Sequence, residues 1–441
     1  MIKNKKLNLD RHTLEVVKKS TSSILVRIIG ILVGLIISVS LGHLIGAEGV
    51  GIIGLSIRIV TLLMVLALFG LPEVIIKKIA IAKNENNFKQ ISDVLFTVKI
   101  IMGFLSFLLT IILIILSPWI SNFIFNEPTL VIPLTITAIV MPAQVLSRIF
   151  GSALVGYKKI WQSNLVDQTL SNFIAGSLLL IAWLSDVVIT VNLVAIFYAV
   201  GRIGVSITVG IYWKTIYQFK GATSFISKEL LKTSIPLLFV SMTLILSSSI
   251  DTIMLGWLSN ITQVGYYTIA LQLALFTGFF LQVANSVIMP KIASLYSEDK
   301  LKEMKIMIQK VTRFLIVIGL FSVLIFLFVG KPLLSLWGTE FENAYSILII
   351  LTIGQFFNVA SGPVMSILMM CNYEKILRNI TFISLLINVI LNYLLIKVFG
   401  ADGAAAATSL SIAIVMIIST WFVKKKLGYI PIKLSIRSIK Q

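Results

Sequence analysis

Runs of about twenty hydrophobic residues, separated by short polar segments, recur along the whole chain. Each run is long enough to cross the roughly 30 Å hydrocarbon core of a bilayer. Within lipid such runs form helices, because no water is present to satisfy the backbone. The pattern therefore predicts an all-α integral membrane protein with about twelve transmembrane helices. The predicted spans are residues 21–45, 51–71, 94–116, 130–152, 164–184, 189–212, 234–258, 265–289, 312–330, 344–370, 379–399 and 403–423.

The composition supports this class. Of the 441 residues, 58% are hydrophobic and only 12% are charged, whereas a soluble domain carries about 25% charged residues. The formal net charge of +19 raises the question of a nucleic-acid partner. Outside the spans, however, the basic residues lie at both termini and in the loops after every second span, and the opposite loops hold only Lys331. By the positive-inside rule this asymmetry predicts cytoplasmic termini and contact with anionic lipid headgroups, with no nucleic-acid binding.

The second half of the chain repeats the first. The sequence LGHLIGAEGVG at Leu41–Gly51 reappears as LGWLSNITQVG at Leu255–Gly265, shifted by 214 residues. Each half holds six predicted spans, so both copies enter the membrane in the same direction and form a parallel repeat. In membrane proteins a duplicated unit is typical of transporters whose path lies between the halves.

The repeat and the charges together predict the domain organisation. Two six-helix bundles are expected, joined by a basic cytoplasmic linker. The predicted segments are a cytoplasmic N-terminus at 1–20, a first bundle at 21–212, the linker at 213–233, a second bundle at 234–423 and a basic tail at 424–441.

Features of an enzyme or a metal protein are weak. The predicted outer loops are short, so none could fold into an external catalytic domain. The two histidines, His12 and His43, are far apart in the predicted topology, and no cluster of Cys, His and Asp has metal-ligand spacing. We therefore expect neither catalysis nor a bound metal cofactor.

Ionisable side chains inside the spans are the best candidates for function, because charges at bilayer depth are costly and usually face a polar interior. Arg27, Arg58 and Arg202 lie well inside predicted spans. They are predicted to line a cationic transport cavity, and the alternative is structural pairing, for instance with Asp167. Four further cations lie nearer to span ends, where they could reach the headgroups: Lys99, Arg148, Arg313 and Lys397. The first three could also extend the cavity.

The second half carries amides where the first carries cations. Gln272 occupies the position that corresponds to Arg58, and Gln355 and Asn358 also lie in spans. Amides can bind sugar hydroxyls or hold helices together. Asp251 is the single acid deep in this half, and it could bind a coupling Na⁺ or H⁺ or form an interhelical pair. Guanidinium groups pair with phosphate in a bidentate manner, so these features favour an anionic substrate rich in hydroxyls. The alternative is an ion-coupled drug exporter that uses Asp251.

Several short motifs carry a resemblance to a known family: Leu41–Ala80, Asp251 with Leu255-Gly256, Val264–Tyr267, Gly156-Tyr157 and Gly403–Thr408. These segments resemble the polysaccharide flippases of the multidrug/oligosaccharidyl-lipid/polysaccharide exporter superfamily. It implies two six-helix bundles in a V and alternating access. It also implies transport of polyprenyl-diphosphate-linked oligosaccharide across the cytoplasmic membrane, with other polysaccharide-assembly membrane proteins as partners. Cavity cations in the family match Arg27, Arg58 and Arg202 by type and region. Drug exporters of the superfamily carry an acid in the first helix, and residues 21–45 contain none.

Overall fold

The computed structural model describes residues 11–217 and 221–431, with the side chains of 11–25, 27, 167 and 168 left out. Within these ranges the chain is helical and contains no strand. The helices are α1 (Arg11–Leu68), α2 (Leu71–Asn84), α3 (Phe88–Trp119), α4 (Val131–Ile139), α5 (Met141–Gly156), α6 (Ile160–Asn164), α7 (Leu170–Leu184), α8 (Val191–Ile216), α9 (Ser227–Leu258), α10 (Ile261–Ser297), α11 (Leu301–Leu334), α12 (Tyr345–Ala360), α13 (Val364–Met370) and α14 (Glu374–Leu427).

The two longest helices are each two helices joined at a glycine. The backbone leaves the helical region at Gly46 in α1, with φ 64°, and at Gly400 in α14, with φ 56°. Glycine adopts positive φ without a steric penalty. The next residue begins a new helix in both places. Its free N–H is capped by a side chain: Glu340 Oε1 accepts from the Ala47 N–H at 2.8 Å, and Gln263 Oε1 accepts from the Ala401 N–H at 2.7 Å.

The predicted spans all correspond to helices. In the part of the chain that the structure describes, nine helices are long and apolar enough to cross a membrane. Two of these, α1 and α14, each supply two spans because of their glycine breaks, and the shorter apolar α7 supplies one more. The prediction of an all-α, multi-pass membrane protein with twelve spans is confirmed.

The chain forms two compact units. Unit 1 contains the described residues up to Leu44, Val60–Ser121 and Pro128–Met242. Unit 2 contains Ile45–Ile59, Asn122–Glu127 and the described residues from Thr243 onward. Two short segments of the N-terminal half, among them the one that carries Arg58, therefore belong to unit 2. The division into bundles at 21–212 and 234–423 stays a prediction from the repeat.

Within unit 1 the chain between α8 and α9 is bound to α3. Asp93 Oδ1 accepts from the Ser224 N–H at 2.6 Å, and Thr97 Oγ1 accepts from the Ile226 N–H at 3.0 Å. Asp93 and Thr97 are one helical turn apart, so they lie on one face of α3. Residues 224–226 of the predicted linker are thus held by side chains of α3.

Within unit 2 the two copies of the repeated motif pack against each other. A Cβ added to Gly51 would lie 2.1 Å from the Ile261 carbonyl oxygen, and one added to Gly265 would lie 1.9 Å from the Ala47 carbonyl oxygen. Gly51 corresponds to Gly265 in the repeat, and Ala47 corresponds to Ile261, in both cases by the shift of 214 residues. The contact is therefore close to two-fold symmetric, and glycine is required at its centre because each backbone occupies the space of the other's side chain.

Candidate functional site

A buried carboxylate in unit 2 is the centre of a hydrogen-bonded cluster. Asp251 lies on α9 and is only 5% exposed. Its Oδ1 accepts from Asn392 Nδ2 at 2.6 Å, and its Oδ2 accepts from Thr408 Oγ1 at 2.7 Å and from the Tyr267 hydroxyl at 3.2 Å. The Tyr267 and Thr408 hydroxyls lie 3.1 Å apart. Three side chains, from α10 and both halves of α14, thus meet around one acid on α9.

The break in α14 brings its two halves together at this point. Asn388 and Asn392 lie one turn apart before the break, and Asn392 Nδ2 also donates to Asn388 Oδ1 at 3.1 Å. After the turn at Gly400, a run of small residues ends at Thr408. A Cβ on Gly403 would lie 2.2 Å from the Leu395 carbonyl oxygen. The small residues therefore let the second half approach the first closely enough for Thr408 to reach Asp251.

The chemistry of the cluster suits a small, hard cation. It presents the Asp251 carboxylate, the Thr408 hydroxyl and the amide oxygens of Asn388 and Asn392, and oxygen is the donor that hard cations prefer. The Asn392 Oδ1 atom is buried and has no hydrogen-bond partner among the described residues. A half-turn of that amide would point Oδ1 toward Asp251. These residues would accommodate Na⁺, and the carboxylate alone could take up H⁺.

Arg58 lies beside this cluster. It is on the second half of α1, in unit 2, and is partly buried. Its guanidinium lies within electrostatic range of the Asp251 carboxylate. Sequence reasoning placed Arg58 among the cavity cations and Asp251 at an ion site, but it did not place them together. A role for either residue in transport stays a prediction.

The other two predicted cavity arginines belong to the first unit. Arg202 lies on α8, is partly buried and stacks over the ring of Tyr198, with the guanidinium carbon 5.3 Å from the ring centre. Tyr198 in turn accepts from Gln144 Nε2 at 3.4 Å. Arg27 is on α1 and its predicted partner Asp167 follows α6, and the side chains of both fall outside the described part of the chain.

The remaining candidates occupy other positions. Lys99 and Arg148 are exposed, and Lys99 Nζ lies 4.9 Å from the centre of the Phe150 ring. Gln272 and Arg313 are partly buried on α10 and α11. On α12 the buried Gln355 accepts from Asn358 Nδ2 at 3.3 Å, so these two amides are brought together.

Four members of the Asp251 cluster were not singled out as site residues from the sequence: Asn388 and Asn392, which are amides inside a predicted span, and Tyr267 and Thr408. Tyr267 and Thr408 belong to the motifs that resemble the exporter superfamily, but nothing in those short motifs assigns them a partner. Thr408 closes the run of four alanines, and Tyr267 lies sixteen residues after Asp251. For Thr408, a hydroxyl that ends an otherwise apolar run is a signal that could have identified it.

Solved structures show the class of fold. An inward-facing multidrug resistance MATE family transporter of the MOP superfamily matches with a TM-score of 0.70 and 14% identity, over 90% of this chain and 98% of that one. The lipid II flippase MurJ, in an inward closed conformation, matches with a TM-score of 0.68 and 15% identity, over 92% and 87%. The fold is therefore the one that these two membrane proteins share.

The family follows from the sequence profile. The family described as polysaccharide biosynthesis protein matches residues 16–296, and the MatE family matches residues 236–394. The chain belongs to the polysaccharide biosynthesis protein family, which confirms the resemblance drawn from its motifs.

Curated relatives match over part of their length. The capsular polysaccharide biosynthesis protein CapF of Staphylococcus aureus is 30% identical over 45% of this chain and 50% of its own length. The probable low-salt glycan biosynthesis flippase Agl15 of Haloferax volcanii is 30% identical over 38% and 36%. The chain thus spans half or less of the length of these two relatives.

Proposed function

We propose that this chain is a flippase that moves polyprenyl-diphosphate-linked oligosaccharide across the cytoplasmic membrane for surface polysaccharide synthesis. It acts as a transporter, not as an enzyme, by alternating access, with both termini in the cytoplasm. The family match and the relatives named as glycan flippases support this function. Other polysaccharide-assembly membrane proteins are the expected partners.

The anionic substrate class is inferred from the arginines that lie deep inside predicted spans. Arg58 lies eleven residues after Ala47 and ten before Leu68, which is about 15 Å from either end of its helix at about 1.5 Å per residue. Arg202 is equally deep in α8. A guanidinium at this depth is costly unless it has an anionic or polar partner. A diphosphate linkage and acidic sugars supply such a partner.

The coupling of transport to Na⁺ or H⁺ is assigned to the Asp251 cluster. Asp251, Asn388, Asn392 and Thr408 would hold Na⁺, or Asp251 would take up H⁺. The Arg58 guanidinium and a cation then compete to neutralise the same carboxylate. Cation binding would weaken the hold of Asp251 on Arg58, which becomes available to an anionic substrate. This competition links ion binding to substrate binding without requiring direct contact between them.

The substrate proposal is tested with Arg58→Ala and Arg202→Ala in liposomes that contain a polyprenyl-diphosphate oligosaccharide. We expect both variants to lose flipping while they insert and fold normally, since the charge that attracts the diphosphate is removed. Lysine at either position should restore flipping only in part, because it lacks the bidentate geometry. Arg378→Ala is the matched control, since Arg378 is exposed and pairs with its neighbour Asn379. Normal flipping by both alanine variants would refute the assignment.

A second candidate function is an ion-coupled multidrug exporter that uses Asp251. The match of the MatE family to residues 236–394, which include Asp251, favours it. It predicts that expression in a drug-sensitive host confers resistance to cationic compounds, and that Asp251→Asn abolishes this resistance. Flipping of the oligosaccharide lipid without any such resistance would eliminate this candidate.

A further inference from the structure

Two lysines of unit 1 lie near each other with no acid between them to neutralise their charge. Lys99 is on α3 and Lys214 is in the last turn of α8, and both side chains are exposed. Their ammonium groups are within electrostatic range of each other and repel. Within residues 11–217 and 221–431, neither lysine forms an ion pair or a hydrogen bond with a described side chain. The pair therefore presents two positive charges that suit an anion.

An aromatic side chain of α5 holds the pair in place. Lys99 Nζ lies 4.9 Å from the centre of the Phe150 ring, which is a cation–π contact. The same ring lies against α8, because a Cβ added to Gly210 would be 3.6 Å from Phe150 Cε2. Its centre is also 6.4 Å from the ring centre of Trp213, the residue before Lys214. Phe150 thus brings a lysine of α3 next to the end of α8 that carries the other lysine.

The aromatic contacts continue to the ends of both helices. Trp213 packs edge-on against Tyr157, with ring centres 5.1 Å apart, and lies 5.6 Å from the ring centre of Tyr217. The Tyr217 hydroxyl donates to the carbonyl of Phe88, the first residue of α3. Trp and Tyr are enriched where a membrane protein meets the lipid headgroups. This end of unit 1 therefore lies at headgroup level, on the side predicted to be cytoplasmic.

Lys99 starts deeper in the membrane than Lys214 and reaches toward the same level. It follows Phe88 by eleven residues, about 16 Å along α3 at about 1.5 Å per residue. Side chains of a helix lean toward its N-terminus, and the N-terminus of α3 lies beside the C-terminal end of α8. The apolar stem of Lys99 therefore extends along α3 toward the headgroups, as lysine stems near span ends do.

Large apolar side chains that face outward lie on both sides of the lysine pair. On α3 they are Phe96 and Ile100, which are 41% and 45% exposed. On α8 they are Ile207 and Ile211, which are 57% and 61% exposed. Exposed apolar surface of this kind marks contact with a membrane. The pair is thus flanked by two apolar strips, one on each helix, along which hydrocarbon chains can lie.

We propose that Lys99 and Lys214 together bind the phosphate of one anionic phospholipid, whose two acyl chains lie along the α3 and α8 strips. The phosphodiester supplies the negative charge that the pair lacks. Charge-assisted N–H···O bonds are about 2.8 Å long, so two oxygens of one phosphate can bridge the two ammonium groups.

The charges and the strips together select this occupant. A zwitterionic phospholipid carries an ammonium of its own, which the two lysines repel. A polyprenyl phosphate has one hydrocarbon chain and would cover only one of the two strips. The sequence allows Lys99 two roles, contact with headgroups or a place in the transport cavity, and this site corresponds to the first.

The test is native mass spectrometry of the full chain, purified from liposomes of phosphatidylethanolamine and phosphatidylglycerol. We expect the wild-type protein to retain one phosphatidylglycerol that Lys99→Gln and Lys214→Gln each lose. Each lysine near an anionic lipid surface contributes modestly, so the retained fraction should fall about fivefold, which is about 1 kcal/mol. The double variant should lose the same single lipid and no other, because both lysines hold one phosphate.

Two further variants serve as controls. Lys99→Arg keeps the positive charge and should retain the lipid. Lys89→Gln is the matched control, because Lys89 is also an exposed lysine of α3 and its replacement removes the same charge, ten residues away from Lys99. It should retain the lipid as the wild type does. Equal elution of all variants in size-exclusion chromatography shows that they are folded.

Three results would overturn the proposal. The first is equal retention of the two phospholipids, and the second is unchanged retention in both glutamine variants. The third is the loss of two lipids in the double variant, which would mean that each lysine binds its own headgroup. In a further preparation polyprenyl phosphate is added. If it displaces the lysine-dependent phosphatidylglycerol at equal concentration, the site belongs to the carrier lipid and the assignment to a phospholipid is wrong; if it does not, the assignment is supported.

Discussion

Replacing Gly265 by alanine tests the symmetric contact between the two repeats in unit 2. The added Cβ would lie 1.9 Å from the Ala47 carbonyl oxygen and 2.8 Å from its carbon. Real Cβ atoms keep at least 3.0 Å from such neighbours. Both groups are helix backbone, so no side-chain rotation relieves the clash. The second half of α1 and the start of α10 must move apart by about 1 Å, the difference between 3.0 and 1.9 Å.

The energetic cost follows from this separation. Overpacking a well-packed interior by one methyl group usually costs about 1–3 kcal/mol, and the rigid backbone on both sides places Gly265→Ala at the upper end of that range. Gly51→Ala should behave in the same way, since its Cβ would lie 2.1 Å from the Ile261 carbonyl oxygen.

The assay is thermal unfolding of the purified protein in detergent, followed by fluorescence-detected size-exclusion chromatography. Gly265→Ala should lower the midpoint by several degrees. Gly103→Ala is the matched control, because Gly103 lies in α3 and a Cβ there would meet nothing within 4 Å. In that variant the better helix propensity of alanine should leave stability unchanged or slightly higher. Equal midpoints for the two variants would refute the close backbone contact.

Three other changes have defined outcomes. Asp251→Asn should abolish the dependence of flipping on Na⁺ or pH, because the only carboxylate of the cluster is lost; a persisting dependence, measured in liposomes with imposed gradients, would contradict this role. Asp93→Ala removes a 2.6 Å charge-assisted hydrogen bond to Ser224, worth about 1.5–3 kcal/mol. It should speed proteolysis between residues 221 and 226, and an unchanged cleavage rate would argue against the tether. Burial raises the pKa of the Cys371 thiol to about 11, so this thiol stays protonated at pH 8. Cys371 should therefore react with maleimide far more slowly than a cysteine introduced by Ser297→Cys on the exposed end of α10. Equal reaction rates would contradict the burial of Cys371.

The positions of the spans could be read from the sequence because hydrophobic length is a local property. The breaks in α1 and α14 were also predictable in part, because Gly46 and Gly400 lie in the short segments that separate predicted spans. The caps on those breaks were not predictable. Glu340 reaches Ala47 across 293 positions of the chain, and no local pattern records such a pairing.

The candidate site was only partly predictable. Asp251 and Arg58 were selected because each is an isolated charge at bilayer depth, and that criterion needs no structure. Their proximity, and the presence of Tyr267 and Thr408, depend on packing. The sequence repeat pairs Arg58 with Gln272 as corresponding positions. The structure instead places Arg58 beside Asp251, the acid of the second half.

By itself the sequence determined the membrane class, the twelve spans and the duplication, because hydrophobic length and internal similarity are properties of the chain alone. Only the tertiary structure decided which polar groups meet. Asn392 and Thr408 each reach Asp251 from more than a hundred positions away, because α14 turns back at Gly400 and small residues let its halves approach.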